Sequence, residues 1–198
     1  MELHLFDFDG TISTTDSFVE YMRFTRGPFV LYLGILIYGP LLILMRLGLA
    51  DREKTKEKIL AFYLKGKSKA WLDEQSQKFF ETKMQKIIRP QAVTEIKRLK
   101  AAGHEVSVVS ASVDIWLSPF CKKYDLNLIC TKANFVNAIF NGKFASPNCR
   151  KEEKVNRIKA IYNLADYTKV VAYGDTEGDY EMFEMADEHF YRPFRGEA

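Results

Sequence analysis

The sequence predicts an α/β protein in which a doubly wound, Rossmann-like parallel sheet carries an inserted all-helical cap. Residues 3–8 form a short apolar segment typical of a buried strand, and a polar Asp-Phe-Asp-Gly-Thr sequence ends it. Residues 14–86 have helical spacing, whereas from residue 87 onward strands alternate with helices. We therefore expect a core formed by residues 1–13 and 87–198, and a cap formed by residues 14–86.

The composition suits one globular core with an inserted module. Of the 198 residues, 47% are hydrophobic and 28% are charged, which argues against disorder. The net charge of +3 is too small to indicate nucleic acid as a partner. The cysteines, Cys121, Cys130 and Cys149, form no CxxC pair, and the acidic residues among the first nine do not fit a secretory leader. We expect inert thiols and a cytoplasmic protein.

Between the first strand and residue 86 the composition changes twice. A polar cluster over residues 13–16 is expected to cap the first helix. Residues 27–45 then carry no charge, and Gly39-Pro40 should break this segment into two short helices. Residues 51–86 are charged and amphipathic, and their basic stretch from residue 52 to 69 is expected to form a solvated helical face.

The charge-free segment has three interpretations. It could form a buried seam between cap helices. It could instead form a hairpin that inserts into a membrane surface, with contact through residues 27–49 and with Arg23, Arg26 and Arg46 facing anionic headgroups. Its length also approaches the roughly 20 residues that span a bilayer. Membrane association therefore stays open beside the cytoplasmic expectation.

In the core, apolar strands alternate with helices that begin or end at Pro, Gly or polar residues. The predicted elements are a helix over 90–103, a strand over 106–109, a helix through 115–120, a strand over 126–130, a hairpin over 135–144 turning at Asn141-Gly142, a helix over 151–162, a strand over 169–173, a short helix over 179–185 and a last strand over 189–191. This alternation predicts a parallel sheet with ligand sites beyond the carboxyl ends of its strands.

Polar side chains follow three of these strands at the point where each strand ends. Because parallel strands share one carboxyl edge, these side chains should lie close together. The helix before the fourth strand can bring a lysine to the same edge. The residues that we expect to converge there are Asp7, Asp9, Ser110, Lys154, Asp175 and Asp179.

Such a cluster indicates phosphate chemistry. Neighbouring carboxylates repel unless a cation lies among them, and oxygen ligands without His or Cys favour Mg²⁺. Lys154 and Ser110 can donate to an anionic substrate. Asp7 is placed to attack phosphorus, and Asp9 can protonate a leaving alkoxide and later deprotonate water. Backbone N–H groups of residues 8–10 can support the equatorial oxygens.

These residues resemble the four motifs of the haloacid dehalogenase superfamily of phosphatases, in the same order and over nearly the whole chain. The motifs are Asp7-Phe8-Asp9-Gly10-Thr11, Ser110, Lys154 and Gly174-Asp175-Thr176-Glu177-Gly178-Asp179. The helical insert is similar to the cap of the phosphoserine-phosphatase-like subfamily. The resemblance implies a Mg²⁺-dependent phosphomonoester hydrolase that acts through an aspartyl-phosphate.

Carried over by motif position, the resemblance assigns five catalytic roles. Asp7 would be the nucleophile and a metal ligand. Asp9 would be the general acid and base, its backbone carbonyl would ligate Mg²⁺, and Thr11 would orient it. Ser110 would hydrogen-bond the phosphoryl group. Lys154 would neutralise the nucleophile and the phosphate.

The metal and lysine assignments complete the implied site. Asp175 would ligate Mg²⁺, and Asp179 would support the metal directly or through water. Lys151 competes with Lys154 for the lysine role, because both belong to the element from Cys149 to Val155.

The substrate is a phosphorylated small molecule or a lipid. Ala111 and Ser112 follow Ser110 at the positions where phosphoserine phosphatases usually have the two glycines of a Ser-Gly-Gly sequence. Asp16 stands where they carry a glutamate. We expect all three residues to contact the substrate. The long apolar cap, Cys149–Val155 and a short tail over Pro193–Glu197 resemble a bacterial phosphatidylglycerophosphate phosphatase of the same superfamily. The alternatives are a lipid headgroup phosphate, phosphoserine or another small metabolite, and a non-catalytic phosphate-binding or membrane-docking module.

Overall fold

The computed structural model describes residues 1–196. The strands are β1 Leu3–Phe6, β2 Glu105–Val113, β3 Asn127–Thr131, β4 Ala133–Val136, β5 Ile139–Phe144, β6 Val170–Gly174 and β7 Glu188–Tyr191. The helices are α1 Ser17–Arg46, α2 Arg52–Leu64, α3 Lys69–Thr82, α4 Pro90–Ala101, α5 Asp114–Tyr124, α6 Glu152–Ile161 and α7 Tyr180–Met185.

Five strands form the central sheet in the order β3-β2-β1-β6-β7, and every neighbouring pair is parallel. Hydrophobic clusters cover both faces. Leu3 and Leu5 of β1 join Ile158 of α6 in one cluster, whereas Phe6 and Val108 belong to the other. The predicted doubly wound parallel sheet is therefore confirmed. β4 and β5 form a separate antiparallel hairpin.

The helices of the inserted segment pack on the core through the hydrophobic cluster that contains Phe6 and Val108. Trp116 of α5 stacks on Tyr21 of α1 with ring centroids 5.3 Å apart, and its indole nitrogen donates to the Ser17 hydroxyl at 2.9 Å. Glu57 of α2 accepts a hydrogen bond from the backbone nitrogen of Phe144 in β5 at 2.7 Å. Helices α1–α3 lie inside the predicted cap range 14–86, and those boundaries stay a prediction.

The break predicted at Gly39-Pro40 is wrong. α1 continues through both residues, and its non-helical residue is Gly27, with φ 78° and ψ 164°. Two local effects permit a break at Gly27, although Gly39 also precedes a proline and they permit a break there equally. Pro28 disfavours the helical conformation in the residue before it, and glycine adopts a positive φ without steric cost. Pro40 removes one helical hydrogen bond, which this long helix tolerates.

A buried seam within the cap is also the wrong interpretation of most of the charge-free segment. From residue 27 to 46 only Leu31 and Gly34 are buried. The Tyr63 hydroxyl donates to the Leu31 carbonyl at 2.9 Å, and a Cβ on Gly34 would lie 1.9 Å from the same hydroxyl. Many of the other apolar side chains in this segment are exposed to solvent, whereas Val30, Tyr38 and Leu42 pack partly against the core. By length and composition, α1 is the one helix among residues 1–196 able to cross a membrane.

The hairpin turns at Asn137-Ala138, not at Asn141-Gly142 as predicted. Asn137 and Ala138 have φ values of 49° and 60°, the pair of positive angles that a tight type I′ turn requires. Gly142 lies in β5, where a Cβ would approach the Ala61 side chain to 2.8 Å. Its glycine therefore permits close packing of α2 on the hairpin.

His4, near the start of β1, makes folding stability depend on pH. It is buried, its Nε2 lies 3.0 Å from a Glu2 carboxylate oxygen and its Nδ1 lies 3.3 Å from the Tyr173 hydroxyl. Burial lowers the pKa of His4, the charge of His104 adds to this, and Glu2 and Glu95 oppose it. Because the unfolded chain then binds the proton more tightly, His4 should reduce stability as the pH falls below about 6.5.

Urea unfolding of the wild type and of His4→Gln over a range of pH measures this contribution. The wild type should lose more stability than the variant between neutral and mildly acidic pH. Equal pH dependence of the two proteins would contradict the assignment.

Candidate active site

The predicted strand ends meet at one edge of the sheet. Asp7 follows β1, and the chain then turns sharply through Gly10, whose φ is 85°. A Cβ on Gly10 would lie 2.2 Å from Oδ2 of Asp175, the residue that follows β6. Glycine at this position is therefore required for the two loops to approach each other.

Lys154 is the electrostatic centre of the site. Its buried ammonium donates to Oδ1 of Asp7 at 2.7 Å, to Oδ1 of Asp179 at 2.6 Å and to the carbonyl of Val109 at 2.8 Å. These three acceptors use all three donors of the ammonium. Lys151 precedes α6 and donates through its backbone nitrogen to Gly178. The structure thus places Lys154, and not Lys151, against the candidate nucleophile.

Asp179 supports the loop after β6. Besides the Lys154 contact, its Oδ2 accepts from the backbone nitrogens of Asp175 and Thr176 at 3.1 and 3.0 Å and from the Thr176 hydroxyl at 3.1 Å. Both oxygens therefore have protein partners. Asp179 is better placed to hold Asp175 than to ligate a metal directly.

Asp9 is held by two serines rather than by Thr11. The Ser17 backbone nitrogen donates to its Oδ1 at 2.6 Å, and the Ser112 hydroxyl donates to its Oδ2. The Thr11 hydroxyl is buried and has no hydrogen-bond partner within residues 1–196. The expected orienting role of Thr11 is therefore corrected to Ser17 and Ser112. Sequence alone missed Ser17 because its contact uses the backbone at the start of α1.

The remaining predicted residues lie around Asp9. Ser110 is buried, and its hydroxyl accepts from the Ser112 backbone nitrogen at 3.0 Å. The Ala111 carbonyl accepts from the Thr131 hydroxyl at 3.1 Å. Asp16 caps α1 by accepting from the backbone nitrogens of Phe18 and Val19, as predicted, and its charge adds to the effect of burial in raising the pKa of Asp9. β2 continues through this segment to Val113, beyond the predicted end at residue 109.

The acidic groups lack a sufficient countercharge. Burial raises the pKa of Asp7 to about 8, although Lys154 opposes the shift, and burial raises the pKa of Asp9 to about 6. Burial also raises the pKa of Asp175, whose Oδ1 is buried without a hydrogen-bond partner among the described residues. Carboxylate oxygens of Asp7, Asp175 and Asp179 can lie within 4.8 Å of one another. An all-oxygen donor set with one unpartnered carboxylate oxygen, Oδ1 of Asp175, fits Mg²⁺.

Two cations near the site were missed by sequence reasoning. Lys56, expected on a solvated face of the cap, instead donates to the Asn148 side chain at 3.1 Å. Burial lowers the pKa of Lys56, and the negative charges of Asp9 and Asp16 oppose this shift. Arg195 donates to Asp175. The sequence singles out the tail over Pro193–Glu197, which contains this arginine, but assigns Arg195 no role. Glu197 of that tail lies outside the described residues.

Comparison with known proteins identifies the class. The family model of the haloacid dehalogenase-like hydrolases matches residues 4–184. Protein CicA of Caulobacter vibrioides (strain NA1000 / CB15N) is 34% identical over 199 aligned positions, covering 96% of this chain and 86% of CicA. This chain belongs to the haloacid dehalogenase-like hydrolase family.

Solved structures place its fold within that family. A protein of unknown function from Bordetella pertussis Tohama I superposes with a TM-score of 0.84 at 21% identity, covering 95% of this chain and 88% of the other. A substrate-bound phosphoserine phosphatase superposes with a TM-score of 0.67 at 20% identity, covering 96% and 84%. The fold is that of the phosphoserine-phosphatase-like members, as the sequence motifs predict.

Proposed function

We propose that this hydrolase is a Mg²⁺-dependent phosphomonoesterase that forms an aspartyl-phosphate on Asp7 and acts on a lipid headgroup phosphate such as phosphatidylglycerophosphate. The buried contact of Lys154 with Asp7 supports the reaction. The exposed apolar helix α1 beside the site supports the substrate. We also propose a cytoplasmic location with peripheral binding to the membrane surface.

The first half of the reaction transfers the phosphoryl group to the protein. Lys154 binds Oδ1 of Asp7 and leaves Oδ2 for attack on phosphorus. As the bond from phosphorus to the leaving oxygen breaks, Asp9 donates its proton to that oxygen. Burial raises the pKa of Asp9 to about 6, which favours its protonated form more than exposure to water would.

The second half returns the site to its starting state. Asp9, now ionised and held by Ser17 and Ser112, accepts a proton from water as the water attacks the aspartyl-phosphate. Inorganic phosphate leaves, and the Asp7 carboxylate is regenerated. Asp7, Asp175 and the Asp9 carbonyl would hold Mg²⁺, which when bound would neutralise charge on the phosphate oxygens.

Helix α1 supports the lipid assignment because of its place and its surface. It starts at the site, where Ser17 contacts Asp9, and then exposes apolar side chains along its length. Phe29 is 79% exposed and Leu36 is 76% exposed. The wider set comprises Tyr32, Leu33, Ile35, Ile37, Ile43 and Leu44 on the helix, and Leu47 and Leu49 directly after it. Soluble monomers rarely expose an apolar surface this extensive unless it binds something.

The charges around this surface favour an anionic bilayer as its partner. Arg23 and Arg26 precede the apolar segment and Arg46 ends it, so basic groups flank both ends. Arginines at such positions bind anionic headgroups while the apolar side chains enter the interface. A phosphate on a lipid headgroup would then lie at the same surface that α1 contacts.

A small phosphorylated metabolite such as phosphoserine is the second candidate. Lys56 and Asp16 present opposite charges close to Asp9, an arrangement suited to a zwitterionic substrate. The side chains of Ala111 and Ser112, however, narrow the space beside Ser110 that a Gly-Gly sequence would leave open. The lipid assignment is therefore preferred.

The lipid assignment predicts that the double variant Phe29→Glu/Leu36→Glu loses binding to vesicles of phosphatidylglycerol and phosphatidylcholine. It should lower kcat/KM for phosphatidylglycerophosphate in those vesicles at least about tenfold, since interfacial binding follows buried apolar area. Hydrolysis of p-nitrophenyl phosphate should not change. Co-sedimentation and phosphate release in Mg²⁺ measure these effects.

The matched control is Ile161→Glu, because Ile161 of α6 is an apolar residue 57% exposed away from α1. Wild-type vesicle binding by the double variant would contradict the membrane assignment. A higher kcat/KM for phosphoserine than for the lipid would favour the second candidate. Phosphate binding without turnover of any substrate would indicate a non-catalytic module. If the wild type forms a stable dimer and the double variant is a monomer, the apolar surface of α1 binds a second copy of this chain and not a membrane.

A further inference from the structure

The C-terminal tail, residues 192–196, folds back onto the edge of the sheet that carries the active site. The Arg192 backbone nitrogen donates to the Gly174 carbonyl at 2.8 Å, directly before Asp175. The Phe194 ring stacks against Phe6 and Tyr173, with centroids 6.2 and 5.8 Å away. The tail is therefore anchored beside both loops that carry the candidate metal ligands.

The tail backbone adopts unfavourable angles to reach this place. Arg192 and Phe194 have φ values of 53° and 61°, in the left-handed region that residues with a side chain rarely occupy. The Phe194 carbonyl accepts from Arg89, whose backbone nitrogen in turn donates to Ile12 at 2.8 Å. Surrounding contacts thus hold two strained residues in place.

The result of this path is the position of Arg195. Its Nη2 donates to Oδ2 of Asp175 at 2.8 Å and to the Gly10 carbonyl at 3.2 Å. One guanidinium nitrogen therefore bridges the loop after β1 and the loop after β6. The other Asp175 oxygen, Oδ1, is buried and lacks a hydrogen-bond partner among the described residues.

We infer that Arg195 is a positioning residue that fixes Asp175 with Oδ1 free and directed to the Mg²⁺ site. This inference rests on the proposed metal dependence and adds a residue from outside the four motifs. By binding Oδ2 and the Gly10 carbonyl, Arg195 prevents rotation of the carboxylate and keeps the two loops in register. Partners of metal-binding carboxylates typically change metal affinity or activity about 10- to 100-fold when removed.

Calorimetric titration of Mg²⁺ into the full chain tests this role without substrate. Arg195→Ala should bind Mg²⁺ at least about tenfold more weakly than the wild type. Arg195→Lys, which keeps the charge without the planar fork, should give an intermediate affinity. In turnover of p-nitrophenyl phosphate, Arg195→Ala should need more Mg²⁺ for half-maximal rate and recover most of its kcat at saturating Mg²⁺.

Arg192→Ala is the matched control, because it removes the same charge from the same tail. Arg192 lies over the Tyr191 ring and acts on Asp175 through its charge without a hydrogen bond. The affinity of this variant for Mg²⁺ should stay within about threefold of the wild type, a much smaller change than in Arg195→Ala. Equal weakening by Arg192→Ala would show a general effect of tail charge and overturn the inference. Unchanged or tighter Mg²⁺ binding by Arg195→Ala would also overturn it, the latter showing that Arg195 competes with the metal.

Two measurements keep the test decisive. In thermal unfolding without Mg²⁺, Arg195→Lys and the wild type should have similar midpoints. Weaker Mg²⁺ binding by the lysine variant is then an effect on the metal site and not a loss of folded protein. A wild-type chain that binds no Mg²⁺ would contradict the proposed metal dependence and this inference together. Wild-type Mg²⁺ binding with no difference in either Arg195 variant would contradict the inference alone.

Discussion

Asp7→Asn is expected to reduce kcat for p-nitrophenyl phosphate by roughly 10⁴- to 10⁶-fold, the range seen when a catalytic nucleophile is removed. An amide cannot form the aspartyl-phosphate. The fold should survive, because asparagine has nearly the same size and Lys154 keeps its contacts with Asp179 and the Val109 carbonyl. Steady-state turnover in Mg²⁺, together with a thermal unfolding midpoint, measures both effects.

Asp73→Asn is the matched control for this substitution. Asp73 is exposed on α3 and pairs with Lys69, so the same chemical change there should leave turnover at the wild-type rate. Turnover by Asp7→Asn within about tenfold of the wild type would remove Asp7 from the nucleophile role, since the expected loss is far larger.

Lys154→Met is expected to lower the free energy of unfolding by about 3–5 kcal/mol, because it leaves buried carboxylates without their cation. Asp7 and Asp179 both accept from the Lys154 ammonium in the buried site. The loss should shrink as the pH falls, since protonated carboxylic acids no longer need a countercharge; the unpaired groups have a folded pKa above the unfolded value. Urea unfolding without Mg²⁺ at several pH values measures it.

Lys159→Met on the same helix provides the comparison. Lys159 is exposed on α6, and its replacement should change stability by no more than about 0.5 kcal/mol. If Lys154→Met destabilises the chain by less than about 1 kcal/mol, Lys154 does not have the buried, fully paired environment described here.

The parts of the site that sequence predicts well are those fixed by sheet topology. Asp7 and Asp175 come together because β1 and β6 are neighbouring parallel strands that end at the same edge. Lys154 follows from the helix that precedes β6. None of these placements depends on the detailed packing of side chains, which is why residue order and strand pattern suffice.

The parts that sequence predicts poorly depend on contacts between distant segments. Gly27 and Gly39 both precede a proline, so local sequence does not choose between them as the break in α1, and contacts such as that of Gly34 with Tyr63 of α2 are invisible to it. Assigning the hairpin turn to Asn137 requires knowing that Gly142 packs against α2.

Side-chain partners show the same limit. The family resemblance assigns the orientation of Asp9 to Thr11, a neighbour in the chain, whereas the observed partner Ser112 is 103 residues away. The contact of Arg195 with Asp175 likewise depends on the path of the tail after β7. Motif spacing carries no information on either contact.

The central claim is that Asp7 accepts a phosphoryl group with Mg²⁺ present, and acid-quenched peptide mass spectrometry tests it most directly. The wild type, mixed with Mg²⁺ and a phosphomonoester substrate and quenched within one turnover, should carry one acid-stable, hydroxylamine-sensitive phosphoryl group on the peptide that contains Asp7. Asp7→Asn should carry none. Turnover without phosphorylation at Asp7, or phosphorylation of another residue, would contradict the account.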